Sequence, residues 1–248
     1  MEDRFTMRAE LHVHSDNGIK TPVVPFLAPI ASHFHESTQN AGDIIKTAVK
    51  KGIRIIAITD HNTLNGYYEA KRIVKESKMG IILVPGCEIT TKEGHILAYG
   101  IKRGISKWLA AEDAIKEIHK QGGIAVAAHP YACRMLSKEM KGMGNMIFQL
   151  KLDGIEGFNA FTGKKENLKA VAAAKKLGLP CTAGSDAHMT EDIGKGVTAF
   201  PEGMKSYKDV IRSIKQSNFR TSCRQANILV AGLRHIYKNI KLLLTQRV

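Results

Sequence analysis

Apolar runs that end in polar or ionisable residues alternate along this chain with segments of helical periodicity. "IRIIAITDHN" follows "NAGDIIKTAVKKG", and "GGIAVAAHP" follows "AEDAIKEIHKQ". A helix, a glycine, a buried strand and then a histidine or aspartate is the order of parallel βα units, whose strands are covered on both faces and so read as continuous apolar runs. "DGIEGFNA" and "GLPCTAGSDAH" continue the series, and "KKENLKAVAAAKKLG" between them reads as a helix stopped by Gly178. Further strands are expected at "GIILVPGCEI" and "HILAYGI", and a helix at "SYKDVIRSIKQS". In "ANILVAGLRHIYKNIKLLLTQ", Leu229, Leu233, Ile236, Ile240 and Leu243 recur at helical spacing, which predicts a terminal helix with its apolar face packed down. Pro22, Pro25 and Pro29 exclude a regular helix from the stretch after the first strand, leaving a long loop of the kind that usually carries function.

A chain of 248 residues, 44% hydrophobic and 24% charged, is long enough for one substantial core and for one α/β barrel. We expect that barrel over residues 1–205, with 206–248 a helical, basic extension packed on the same domain. No apolar run is long enough to cross a bilayer, and "MEDRFTMRAE" is charged where a signal peptide needs its apolar centre. Nothing before Met7 reads as structural. Cys87, Cys133, Cys181 and Cys223 form no C-x-x-C pair, which argues against a disulfide framework or a thiolate zinc site and fits a reducing cytoplasm.

The formal charge is +14, and no acidic residue follows Asp209. The eight Lys and Arg residues from Arg212 to Arg247 form either the solvated face of a terminal helix or a surface for a polyanion such as nucleic acid. Only Phe219 and Tyr237 are there to stack on bases.

The candidate chemistry starts at "AELHVHSDNG". Residues i and i+2 of a strand share a face, so His12 and His14 project together, and two adjacent imidazoles can chelate. In a closed parallel barrel the residues beyond the strand ends converge on one mouth. The periodicity puts His12, His14, Asp60, His61, Glu88, His129, Asp186 and His188 at such ends. His119, within a helix, and His235, in the basic tail, do not share that placement.

"ELHVHSDNG", "IAITDHNT", "VPGCEITTKEGHILAYG", "AVAAHPYA" and "TAGSDAH" follow one another in order, each after a strand, and over roughly residues 8 to 200 the chain resembles the PHP (polymerase and histidinol phosphatase) phosphoesterase family. The resemblance implies a distorted (β/α)7 barrel with two or three divalent metal ions at its mouth and hydrolysis of phosphate esters. It implies that His12, His14 and Asp186 hold one metal, that Glu88 bridges it to a second completed by His95 and His129, and that His61 and His188 serve a third. Asp16, His33 and His35 compete for the remaining place at that third site.

Imidazoles with a few carboxylates suit manganese, zinc or iron. Two cations sharing a carboxylate lower the pKa of a shared water, which attacks phosphorus while they neutralise the phosphoryl oxygens. Asp60 either orients a ligand from behind or caps the following helix. Arg134 either grips substrate phosphate with its guanidinium or is a surface residue, and Asn159 either lines the pocket or starts a turn. The expected substrate is a phosphomonoester or a small nucleotide or oligonucleotide. Two alternatives stay open: a metal-dependent amidohydrolase, and a non-catalytic polymerase-associated module that binds nucleic acid.

Overall fold

The computed structural model describes residues 4–18, 37–77, 79–132 and 142–245. Among the described residues ten strands form two five-stranded mixed sheets with six α-helices around them. In chain order these are β1 (Met7–Val13), α1 (Ala41–Lys50), β2 (Ile53–Ile58), α2 (Asn65–Ser77), β3 (Ile82–Leu83), β4 (Gly86–Thr90), β5 (His95–Tyr99), α3 (Ala111–Lys120), β6 (Ile124–Ala127), β7 (Gly154–Asn159), α4 (Lys164–Leu177), β8 (Cys181–Gly184), β9 (Gly196–Phe200), α5 (Tyr207–Lys215), β10 (Arg220–Cys223) and α6 (Ile228–Thr245).

Among the described residues five helices form where the periodicity predicts them, α2 being one that it does not name, and local chemistry sets their ends. At α1 the Asn40 side chain accepts from the Asp43 N–H, and Ala41, Ile44, Ile45 and Ala48 turn inward. Gly178 ends α4 in the left-handed conformation, φ 66°, which a residue without Cβ adopts at little cost.

One sheet has the order β10-β9-β1-β2-β3 and the other β4-β5-β6-β7-β8. Not every unit is the parallel kind the pattern suggests. β4, β5 and β6 pair antiparallel, as β9 does with β1 and β10. Four residues join β4 to β5, enough for a hairpin and too few for a crossover. "GIILVPGCEI" is likewise two strands, because Pro85 has no N–H to offer a ladder.

Isolated parallel bridges join the sheets at two seams, Val13 to Ala187 and His61 to Glu88. Beneath the seams, Leu11, Ile55, Leu97, Tyr99, Val126 and Phe200 from both sheets form a core with Val210 and Ile214 of α5. The Tyr99 hydroxyl crosses between sheets to the Leu11 carbonyl at 2.8 Å.

Residues 206–248 differ from the expected helical extension in two respects. Arg220–Cys223 forms β10, an edge strand on β9. On α6, Ala231, His235 and Asn239 are buried, while Leu229 and Leu233 are 81% and 70% exposed. The apolar side therefore faces outward. Ion pairs from the other side hold the helix this way, Arg234 to Asp192 at 3.2 Å and Lys238 to Glu191 at 2.9 Å. No described helix is long and apolar enough to cross a membrane.

Candidate metal centre

The rings of His12 and His14 meet as the strand geometry predicts, with their Nε2 atoms 3.2 Å apart. Both Nε2 atoms lie 3.1 Å from Glu88 Oε2, and they lie 3.4 and 3.2 Å from Asp186 Oδ1. The other oxygen of Glu88 faces a second set, 2.9 Å from His95 Nδ1 and 3.0 Å from His129 Nε2. His61 Nε2 is 3.6 Å from Glu88 Oε2. One buried carboxylate thus touches five imidazoles from four separate segments of the chain.

Glu88 sits inside β4 rather than beyond a strand end, a difference that follows from the division of the apolar run at Pro85. It reaches the centre because β4 starts beside the end of β2: Asn62 N–H donates to the Glu88 carbonyl at 2.8 Å and Glu88 N–H to the Thr59 carbonyl at 3.2 Å. The other seam is closed by Asp186 N–H to the His12 carbonyl, 2.7 Å, and His14 N–H to the Ala187 carbonyl, 3.0 Å. His129 and Asp186 have positive φ, 27° and 55°, a conformation that costs non-glycine residues energy and persists where surroundings impose it.

The donor set fits divalent cations. His12, His14, Glu88 and Asp186 each offer an atom to one group, and His61, Glu88 and His95 to another. In the first, the ring-to-ring and ring-to-carboxylate separations of 3.1–3.4 Å are those expected between neighbouring ligands of an ion bound at about 2 Å, the usual bond length from zinc to nitrogen or oxygen. The Nδ1 atoms of His14 and His129 are buried with no hydrogen-bond partner among the described residues.

The charges reinforce each other. Burial opposes protonation of His12, yet the carboxylates of Asp186, Glu156 and Glu88 hold its pKa well above the ordinary imidazole value. His14 and His129 are raised against the same opposition, chiefly by Asp186 and Glu88 for the first and by Glu88 for the second. Burial likewise opposes ionisation of Glu88 and Asp186, but the surrounding histidines hold both carboxyls below the usual range. Histidines that attract protons this strongly are sites a cation can take over.

His188 stacks on His14 at 4.4 Å between ring centroids, its Nδ1 2.9 Å from the Asp186 carbonyl. Asp16 is exposed and belongs to neither donor group. Arg134, His33 and His35 lie outside the described residues. Asp60 does not cap α2, which starts five residues on. Its two oxygens accept from the Ser15 N–H and hydroxyl, both at 2.6 Å, and so pin the turn after His14. His119 pairs with Asp153 at 2.6 Å, away from the centre as its helical placement implies.

Two buried carboxylates beside His12 escape the sequence reading. Glu156 Oε1 lies 2.9 Å from His12 Nδ1, while Oε2 accepts from His129 N–H at 2.9 Å and from Asn159 Nδ2 at 3.0 Å. Asn159 Nδ2 is also 3.2 Å from Asp186 Oδ2, so Asn159 lines the centre and does not merely begin a turn. Glu10 accepts from the N–H groups of Ser185 and Gly194, and burial raises its pKa to about 7. The available signal was a charge inside an otherwise apolar strand, in "RAELHV" and "DGIEGFN".

Comparison with known proteins places this geometry in context. The family model for the PHP-associated region matches residues 164–219. An uncharacterized protein of Methanocaldococcus jannaschii, MJ1587, is 41% identical over 155 residues, 62% of this chain and 83% of that protein. A two-domain protein from Bacteroides vulgatus containing a predicted PHP-like metal-dependent phosphoesterase superposes with TM-score 0.68 at 16% identity, over 88% of this chain and 65% of that one. A lesion-specific endonuclease from Pyrococcus furiosus superposes with TM-score 0.56 at 16% identity, over 87% of this chain and 57% of that one. At such identity the last two show likeness of fold, and the chain spans less than two thirds of either.

Proposed function

Because the chain belongs to the PHP family, we propose that it is a metal-dependent phosphoesterase acting on a phosphomonoester or a small nucleotide or oligonucleotide. The observation that carries this reading is the placement of Glu88, one carboxylate with an oxygen toward His12, His14 and His61 and the other toward His95 and His129. The same reading takes the two sheets, joined at both seams, as one distorted barrel of the PHP type.

On this reading His12, His14, Asp186 and Glu88 hold one divalent cation, and Glu88, His95 and His129 a second, with His61 at the Glu88 side and His188 at the open edge. Manganese, zinc or iron suit the donors, and such ions supply Lewis acidity toward water and phosphoryl oxygen. The chain's own contribution is position. Glu156 accepts the Nδ1 proton of His12 and leaves Nε2 bare toward the centre. Asn159 ties Glu156 to Asp186, and Asp60 fixes the turn that carries His14. Arg134, five residues beyond His129, is the proposed grip on substrate phosphate.

A nucleotide or oligonucleotide substrate is favoured by the net charge of +14, which draws polyanions toward the protein, and by the likeness of fold to the Pyrococcus endonuclease. The test is a phosphate-release screen on manganese-loaded protein with nucleotides, sugar phosphates and short DNA, alongside amide substrates. Release of inorganic phosphate or of cleaved strands supports the proposal. Hydrolysis of amides alone overturns it in favour of an amidohydrolase, and tight DNA binding without turnover overturns it in favour of a binding module.

A further inference from the structure

We propose that α6 is the two-fold interface of a homodimer. The helix is inverted relative to its own hydrophobicity. Ala231, His235 and Asn239 face the protein, whereas Leu229, Leu233 and Tyr237 are 81%, 70% and 67% exposed, and Val230 and Ile240 nearly half exposed. Among the described residues nothing covers this face.

Its spacing points to a helical partner. Leu229, Leu233, Ile236 and Ile240 follow one another at intervals of four, three and four residues, the seam along which two helices interlock side chains. Val230 and Tyr237 flank the seam on one edge. Gly232 adjoins it, and a Cβ built there would meet nothing within 4 Å. A glycine in a helix interior costs about 1 kcal/mol relative to alanine, and this one serves no packing need within the described residues. It does let a second helix approach closely.

Area and charge select a second copy as the occupant. The exposed side chains bare on the order of 500 Å², as large a patch as a monomer ordinarily leaves open. Two such faces brought together about a two-fold axis remove roughly 1,000 Å², the lower bound of a specific interface, and a self-complementary patch is what a two-fold contact requires. An anionic lipid surface needs basic groups beside the apolar stripe. Here Arg234 and Lys238 are committed to Asp192 and Glu191 of the same chain. Those pairings also remove most of the repulsion that two basic helices would otherwise feel.

The test is the molar mass of the full chain by light scattering over a dilution series, with Leu233→Asp and the milder Tyr237→Ser beside it. The expected result is twice the chain mass for the wild type, with a melting temperature that falls on dilution, and the single chain mass for Leu233→Asp. Tyr237→Ser should shift the dimer–monomer midpoint to at least tenfold higher concentration. A wild type that stays monomeric throughout overturns the proposal, as do variants that dimerise unchanged. Monomers that sediment with phosphatidylglycerol vesicles overturn it in favour of a lipid surface.

Discussion

Glu156 Oε1 lies 2.9 Å from Nδ1 of His12, with both side chains fully buried. A carboxylate there fixes which ring nitrogen carries the proton and so which one faces the metal centre. Glu156→Gln keeps the shape but presents either an amide N–H or a weaker acceptor to His12. We expect a 10- to 100-fold loss of manganese affinity by calorimetric titration, and a larger loss for Glu156→Ala, which also strips a partner from His129 N–H and from Asn159. Unchanged affinity in both variants would show that His12 needs no such support.

The raised pKa values of His12, His14 and His129 predict opposite pH trends for the stripped and loaded protein. A histidine whose folded pKa is raised contributes stability fully below its unfolded value of about 6.5, lost as pH climbs through the folded value. The stripped protein should therefore lose melting temperature above neutrality through these groups. Cation binding displaces the same protons, so affinity should rise with pH. Calorimetric scans with and without manganese at pH 6 and pH 8.5 should show the larger metal-induced shift at the higher pH. A larger shift at pH 6 contradicts the assignment of these imidazoles.

Gly184 is needed for close approach. A Cβ there would lie 2.4 Å from the His12 Cβ and 2.6 Å from Glu156 Oε1. Gly184→Ala should cost about 1–3 kcal/mol in denaturant unfolding, as overpacking of a filled interior does, and lower metal content at the same time. Native stability together with full metal occupancy would show that the strand gives way freely.

His119 supplies the contrast. Its ring pairs with Asp153 on the outer side of α3 and belongs to neither donor group. His119→Ala should leave metal content and phosphate release near wild type. A tenfold fall in either would place the residue in the working site.

The candidate metal ligands are legible because their chemistry recurs at corresponding places, where apolar runs give way to His or Asp, and strand periodicity brings His12 and His14 to one point. Glu156 and Glu10 are not, because a carboxylate inside a strand says nothing about which neighbour it will serve. Its partners come from strands far away in sequence. Glu88 stands out in the sequence, but its place inside a strand does not, since hydropathy does not register Pro85 as a break. The orientation of α6 was inverted for a plainer reason. Periodicity gives an apolar helix to its own core, while here ion pairs to Glu191 and Asp192 hold the opposite face down.

The most direct measurement is anomalous diffraction from crystals of the protein soaked in manganese. The account predicts density on both sides of Glu88, one peak among His12, His14 and Asp186 and one beside His95 and His129, both lost in Glu88→Ala. Crystals that take up manganese elsewhere, or bind none at this cluster while the imidazoles stay in place, would contradict it.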